Sequence, residues 1–228
     1  MKQMILISDP HGLPLRGLAP ATAAETVMIC PHDKPQAHAR SVEFPETWLP
    51  LRDPAMPYGA RCWWVCDRIF TAAVVQLGLD ADFFWCVEGD VVAKPETWQR
   101  LIVAGESRAL DGIFIHLADR ASRSENGWLN HPTTPEWADR HCLGAMYRFS
   151  RRAMQWIAES AEENREVFCE VHAPSIIRNR GGSIGDLHQL GWFYNSQCMQ
   201  APGHRLGFNS ILFNHPHKTN TECPELTP

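Results

Sequence analysis

Glu88 and Asp90 stand one residue apart, directly after the apolar run Phe83-Phe84-Trp85-Cys86-Val87. Such a run reads as a strand buried on both faces, as in a parallel sheet. Ligands of parallel α/β sheets bind outside the carboxyl ends of strands, where these two acids fall. Two carboxylates at this spacing can hold a hard divalent cation through oxygen, and that cation can bridge two phosphates. Gly89 between them lets the backbone turn and approach a ligand closely. The same residues also read as a loop cap at Asp90 and a solvated strand end at Glu88, and spacing alone leaves both readings open.

The elements that must position these acids alternate between strand and helix. Met4 to Ile7 and Thr26 to Cys30 are short apolar runs, each soon followed by Pro, as expected of buried strands feeding loops. Residues 31–60 are rich in Pro, Asp and His and read as a long irregular surface segment, of the kind that is often functional. Cys62, Cys66, Ile69, Ala73 and Leu77 form one stripe at helical spacing, which predicts a helix over Arg61 to Gly78, with Asp67, Arg68 and Thr71 on another face. Pro95 opens a second helix ending near Gly105, and Gly112 to Leu117 is the next strand. Residues 118–141 read as loop. Ser150 is placed to cap a helix over Arg151 to Asn164. Val167 to Val171 is a short apolar segment read as a strand, Pro174 opens a further helix, and Ile211 to Phe213 is strand-like. This alternation predicts an α/β fold with a largely parallel sheet flanked by helices. It is read as a single domain over 1–228, with a nucleotide-binding half over 1–110 and an acceptor-side half over 111–228.

Composition narrows the function classes. The chain has 228 residues, 44% of them hydrophobic and 21% charged, which is ordinary globular usage with length enough for a real core. The formal net charge of -5 argues against affinity resting on a nucleic-acid backbone, so no nucleic-acid partner is expected. There are 17 Arg and 4 Lys, and Arg forks suit phosphate oxygens. The eight cysteines include no C-x-x-C pair. Cys62 and Cys66 are four apart, and Cys169 with His172 is an isolated C-x-x-H, so structural zinc is not expected. Cys30, Cys86 and Cys142 sit in apolar runs and read as small core residues. Met4 to Ile7 is too short for a signal-peptide core, and the charge-free stretch Ile69 to Leu79 is too short for a transmembrane segment. A reducing, cytoplasmic setting with free thiols is the expectation.

The segment Asp82-Phe83-Phe84-Trp85-Cys86-Val87-Glu88-Gly89-Asp90-Val91 resembles the D-x-D region of GT-A glycosyltransferases, with Glu in place of the first Asp. Gly144-Ala145-Met146-Tyr147-Arg148-Phe149-Ser150-Arg151 resembles the strand-to-helix segment on the acceptor side of that fold, and Asn214-His215-Pro216-His217-Lys218 resembles its late H-P-x-K element. The segments follow one another from about residue 60 to 218, while residues 1–59 match more loosely. The resemblance implies a GT-A-like, Rossmann-like sheet and an enzyme that transfers a sugar from a nucleotide-sugar donor to an acceptor hydroxyl. It implies Mn2+ or Mg2+ held by Glu88, Asp90 and His215. Lys218 would meet the diphosphate, with Arg61 and Asp67 as further donor-side residues. Gly144 and Ala145 would line the acceptor side, and Trp128 and Trp137, with His141, could form a sugar platform. These tryptophans read more readily as packing for their loop. If the reaction inverts, one carboxylate must act as base on the acceptor. Glu170 holds the place where the family often carries that acid, with Asp139 and Asp186 as rivals and His172 as a group that could orient the acceptor.

Two other classes compete. Ile5-Leu6-Ile7-Ser8-Asp9-Pro10-His11-Gly12 resembles the first motif of calcineurin-like metallophosphoesterases, in which a strand ends in D-x-H. Gly89-Asp90 would then be its second motif, with His204 or His215 as a later ligand. No G-N-H segment follows anywhere in the chain, so Asp9 and His11 are not expected to be catalytic metal ligands. The third class is a nucleotide-sugar binder without turnover.

Overall fold

The computed structural model describes residues 1–8, 25–31, 40–51, 58–89, 91, 95–120, 129–188, 193–195 and 212–214. Its strands and helices are β1 (Gln3–Ser8), β2 (Glu25–Pro31), β3 (Arg40–Val42), α1 (Tyr58–Trp64), α2 (Cys66–Gln76), β4 (Phe83–Glu88), α3 (Pro95–Glu106), β5 (Gly112–Asp119), β6 (Arg140–Ser150), α4 (Arg151–Ser160), α5 (Cys169–Asn179) and β7 (Ile184–Asp186). A separate pair, β8 (Phe193–Asn195) and β9 (Leu212–Asn214), runs parallel.

The main sheet has seven strands in the order β3-β2-β1-β4-β6-β5-β7. Only β6 runs against its neighbours; the other pairings, β1 with β2 and β4, β2 with β3, and β5 with β7, are parallel. This is the α/β, mostly parallel architecture expected from the sequence. The apolar run in β4 shows why the strand is legible: Phe84 and Cys86 face one layer of the core and Trp85 and Val87 the other. The first layer packs against α2, α4 and α5, and the second against Trp98, Leu101 and Ile102 of α3. The sheet is continuous across residue 110, because β6 pairs directly with β4.

Arg148 on β6 fastens α3 to the sheet. It is fully buried, and its guanidinium donates to the carbonyl of Gly105 in the last turn of α3 at 2.6 Å and, past the helix end, to those of Arg108 and of Leu110 at 3.4 Å. It lies 4.3 Å over the Phe83 ring. Burial pulls its pKa down from the usual guanidinium value to about 10, which leaves it charged at neutral pH. Ser150 caps α4 as expected, accepting the Ala153 N–H at 3.1 Å.

Three local readings need correction. The helix expected over residues 61–78 is two helices, α1 and α2, broken at Val65. The segment at 167–171 is not a strand: Phe168 precedes α5, which carries Pro174 inside it. The irregular segment at 31–60 contains β3, a 3-10 turn over Glu46–Trp48 and the start of α1. Among the described residues no helix is long and apolar enough to cross a membrane. Cys62, Cys66, Cys86, Cys142 and Cys169 are buried thiols.

Candidate functional site

The chain leaves β1 toward β2 and β3 on one side, then returns to place β4 on the other. The point where strand order reverses lies between β1 and β4, and the carboxyl ends of parallel strands are the usual ligand position of such sheets. Ser8 and Glu88, the last residues of these strands, are paired in register. The turn closes at once, with the Gly89 N–H donating to the Ser8 carbonyl at 2.7 Å and Val91 N–H to the Glu88 carbonyl at 3.1 Å. Glu88 is half-buried there. Its carboxylate is a hard oxygen donor and suits the divalent cation that the sequence suggests. Among the described residues, no group of three or more His, Cys, Asp or Glu is gathered to hold a metal. Asp90, His215 and Lys218 lie outside the described residues, as do Trp128, Asp9, His11, His204 and His217.

The reversed direction of β6 brings its first residues to the same edge. Val87 of β4 pairs with Met146, so Gly144 and His141 extend past the carboxyl end of β4. Glu170, in the first turn of α5, is set against them. Its Oε1 accepts the Gly144 N–H at 2.7 Å, and its Oε2 lies 3.3 Å from His141 Nε2. A methyl group on Gly144 would come within 2.6 Å of the Tyr147 hydroxyl and 3.0 Å of Glu170 Cγ, so the glycine is what admits the carboxylate. Behind it lie packed thiols. The Tyr147 hydroxyl donates to Cys169 Sγ at 3.5 Å, Cys66 Sγ is 3.5 Å from Cys169 Sγ, and Cys142 Sγ donates to the Glu170 carbonyl at 3.3 Å. Burial keeps the Cys142 thiol and the Tyr147 hydroxyl protonated, and a hydrogen bond with Cys169 together with burial does the same for Cys66.

The structure therefore joins Glu170 to Gly144, two residues singled out on separate segments. Ala145 is buried on the α3 side of the sheet. Arg61 sits half-buried on α1. The Asp139 carboxylate pairs with Arg140 at 2.9 Å. Asp186 accepts the N–H groups of Leu117 at 2.5 Å and His188 at 2.7 Å, which makes it a backbone cap. Trp137 packs against the small cluster Leu129, Ala138, Val167 and Val171, and so serves its loop.

Asp67 corrects the donor-side expectation. It is fully buried, accepts from His172 Nδ1 at 2.6 Å and lies 3.6 Å from Arg68 Nη1, so a diphosphate at the sheet edge has no access to it. His172 is equally buried, with its Nε2 at 3.0 Å from Ser160 Oγ, and orients α2 against α5 and not an acceptor. Burial first, and Arg68 second, lower the His172 pKa from 6.5 to about 4. Burial alone would raise Asp67, but Arg68 and His172 hold it below the usual carboxylate value. The result is a neutral imidazole donating Nδ1–H to an ionised Asp67. Arg68 completes the network by donating to the carbonyls of Asn164 at 2.8 Å and Val167 at 2.9 Å.

Two residues went unnoticed in the sequence. His116, in β5, has φ of 52°, and its ring lies 4.5 Å from that of His188 just beyond β7. A left-handed backbone at a non-glycine residue costs free energy and concentrates near functional sites. The only sequence signal was a His inside the apolar run of residues 112–117.

No family model matches the chain, and no curated protein sequence matches it. Solved structures of similar shape include CMP:2-keto-3-deoxy-manno-octonic acid synthetase complexed with CTP, at 14% identity and TM-score 0.43, covering 82% of this chain and 89% of that one. Galactosyltransferase LgtC in complex with donor and acceptor sugar analogs is similar at 12% identity and TM-score 0.43, covering 81% and 72%. An active-site mutant of LgtC is similar at 11% identity and TM-score 0.48, covering 95% and 88%.

Proposed function

We propose that the chain is a metal-dependent glycosyltransferase that moves a sugar from a nucleotide-sugar donor to an acceptor hydroxyl. The observation that carries this reading is the arrangement of one sheet edge. Glu88 ends β4 at the switch point, and Glu170 is held against Gly144 on the adjacent strand β6. In this reading Glu88 would serve the donor diphosphate and Glu170 the acceptor, and their position at one sheet edge is what supports it.

Glu88, Asp90 and His215 would hold Mn2+ or Mg2+, which when bound supplies positive charge to the leaving diphosphate. Lys218 and Arg61 add charge from the chain itself. Glu170 takes the proton from the acceptor hydroxyl as the new bond forms at the anomeric carbon. The Gly144 N–H fixes one carboxylate oxygen, so the base is already oriented before the acceptor arrives.

The test is a thermal-shift panel of nucleoside diphosphates with and without manganese. A nucleotide-selective, manganese-dependent rise in Tm is expected, since a ligand that binds only the folded state stabilises it. No shift with any nucleotide would sink the reading.

The register of Ser8 with Glu88 supports one alternative, because Ser8 ends β1 beside Glu88 and Asp9 is the next residue in the sequence. A metallophosphoesterase would hydrolyse a generic phosphodiester and lose that activity on Asp9→Ala. A glycosyltransferase would show neither effect.

A further inference from the structure

We propose that Trp63 is a stacking platform for the pyranose ring of a saccharide acceptor. This rests on the glycosyltransferase reading and identifies the acceptor's chemical class.

Topology puts Trp63 at the right edge. Helix α2 leads into β4 and α5 leads into β7, and both strands run parallel to β1. A helix feeding such a strand runs opposite to it, so the starts of α2 and α5 lie at the carboxyl ends of the strands. Helix α1, with Trp63, immediately precedes α2, and Glu170 is in the first turn of α5. The two are physically joined. The Trp63 ring lies 4.6 Å from that of Phe168, two residues before Glu170, and the Trp63 carbonyl accepts from Cys169 Sγ at 3.5 Å.

Exposure and rigidity set Trp63 apart. It is 37% exposed, whereas the other described tryptophans are buried or half-buried. Phe168 also packs against Trp64, at 4.7 Å, and Trp64 is anchored by its indole N–H to the Glu166 carbonyl at 3.2 Å. An open indole on a fixed aromatic base loses little side-chain freedom when a ligand covers it. A pyranose presents an apolar C–H face to such a ring and hydroxyls at its rim. Phe168, against which Trp63 packs, is two residues from Glu170, whose carboxylate lies 3.3 Å from His141 Nε2, and these two groups are the ones proposed to meet those hydroxyls.

The probes are methyl β-D-glucopyranoside and methyl β-D-galactopyranoside, followed by saturation-transfer NMR on the full chain. At least one should receive saturation mainly on the protons of one ring face. Trp63→Leu should weaken that binding about tenfold, and Trp63→Phe should retain most of it. Manganese-dependent nucleotide binding should be unchanged in both variants. Equal binding by Trp63→Leu, or no binding of either glycoside to the parent chain, overturns the proposal. So does binding of uridine or adenosine that is itself lost in Trp63→Leu, which would make Trp63 a nucleobase platform. If glycoside binding depends on Trp63 but no nucleotide binds, the platform stands and the donor reading fails.

Discussion

Gly144 and Glu170 are joined by a 2.7 Å hydrogen bond from a backbone N–H to a side-chain carboxylate, across 26 positions of sequence. The bond forms only because residue 144 lacks a side chain. Gly144→Ala should therefore push Glu170 out of its seat. Overpacking of this kind costs about 1–3 kcal/mol. The expected outcome is a modestly lower urea midpoint with sugar transfer reduced far more than stability. Normal transfer in Gly144→Ala would show that the seat is dispensable.

Glu170→Gln preserves shape, and its amide oxygen can still accept the Gly144 N–H. What it loses is basicity. General-base removal is expected to cost roughly a hundredfold or more in transfer rate, with donor affinity unchanged because the base acts in the transition state. Rate and donor binding are to be measured separately. Unchanged transfer would move the role to Asp139 or Asp186, or imply a retaining reaction, and lost donor binding would place Glu170 in the nucleotide shell.

Asp90→Asn should abolish manganese-dependent nucleotide binding while thermal stability without ligand stays near that of the parent. Calorimetric titration of nucleotide with and without manganese reads this directly. Tight, metal-dependent binding by the variant would remove Asp90 from the proposed metal site.

His172 predicts the acid limb of stability. Its folded pKa of about 4 lies below its ordinary 6.5, so the unfolded chain takes up the proton first. The group's contribution is fully present above pH 6.5 and is lost as pH falls from there toward 4. The loss amounts to roughly 3 kcal/mol. Asp67, also lowered, adds a further loss below its ordinary 3.8. Urea unfolding measured from pH 7 to pH 4 should show this slope, and His172→Gln should be less stable at pH 7 but flatter between those values. An equal slope in both proteins would contradict the neutral, buried imidazole.

The sequence made β4 and its acidic end legible because a strand buried on both faces leaves an uninterrupted apolar run. It also revealed the cap at Ser150, which is a local signal. Asp67 was misread for a definite reason. On a helix wheel Asp67, Arg68 and Thr71 fall on a face apart from the apolar stripe, yet all three are buried. Their partners, His172 and the carbonyls at 164 and 167, come from α5 and the segment before it, about a hundred positions away. No local pattern encodes such a pairing. The start of α5 was missed because Val167 to Val171 is apolar enough to pass for a strand and Pro174 suggested a later helix start. Glu170 was singled out by its order along the chain, while its hydrogen bond to Gly144 needed the fold.

The reversed course of β6 has a consequence for how this scaffold can change. Between parallel strands, a connection must travel the full height of the sheet, so its length and packing are constrained. The link from Asp119 to Arg140 joins two antiparallel neighbours, so its two ends lie at the same edge of the sheet. It is thus a partly anchored cassette and not a structural crossover: its length is free to vary without altering strand register so long as Leu129 and Ala138 keep their packing against Val167 and Val171.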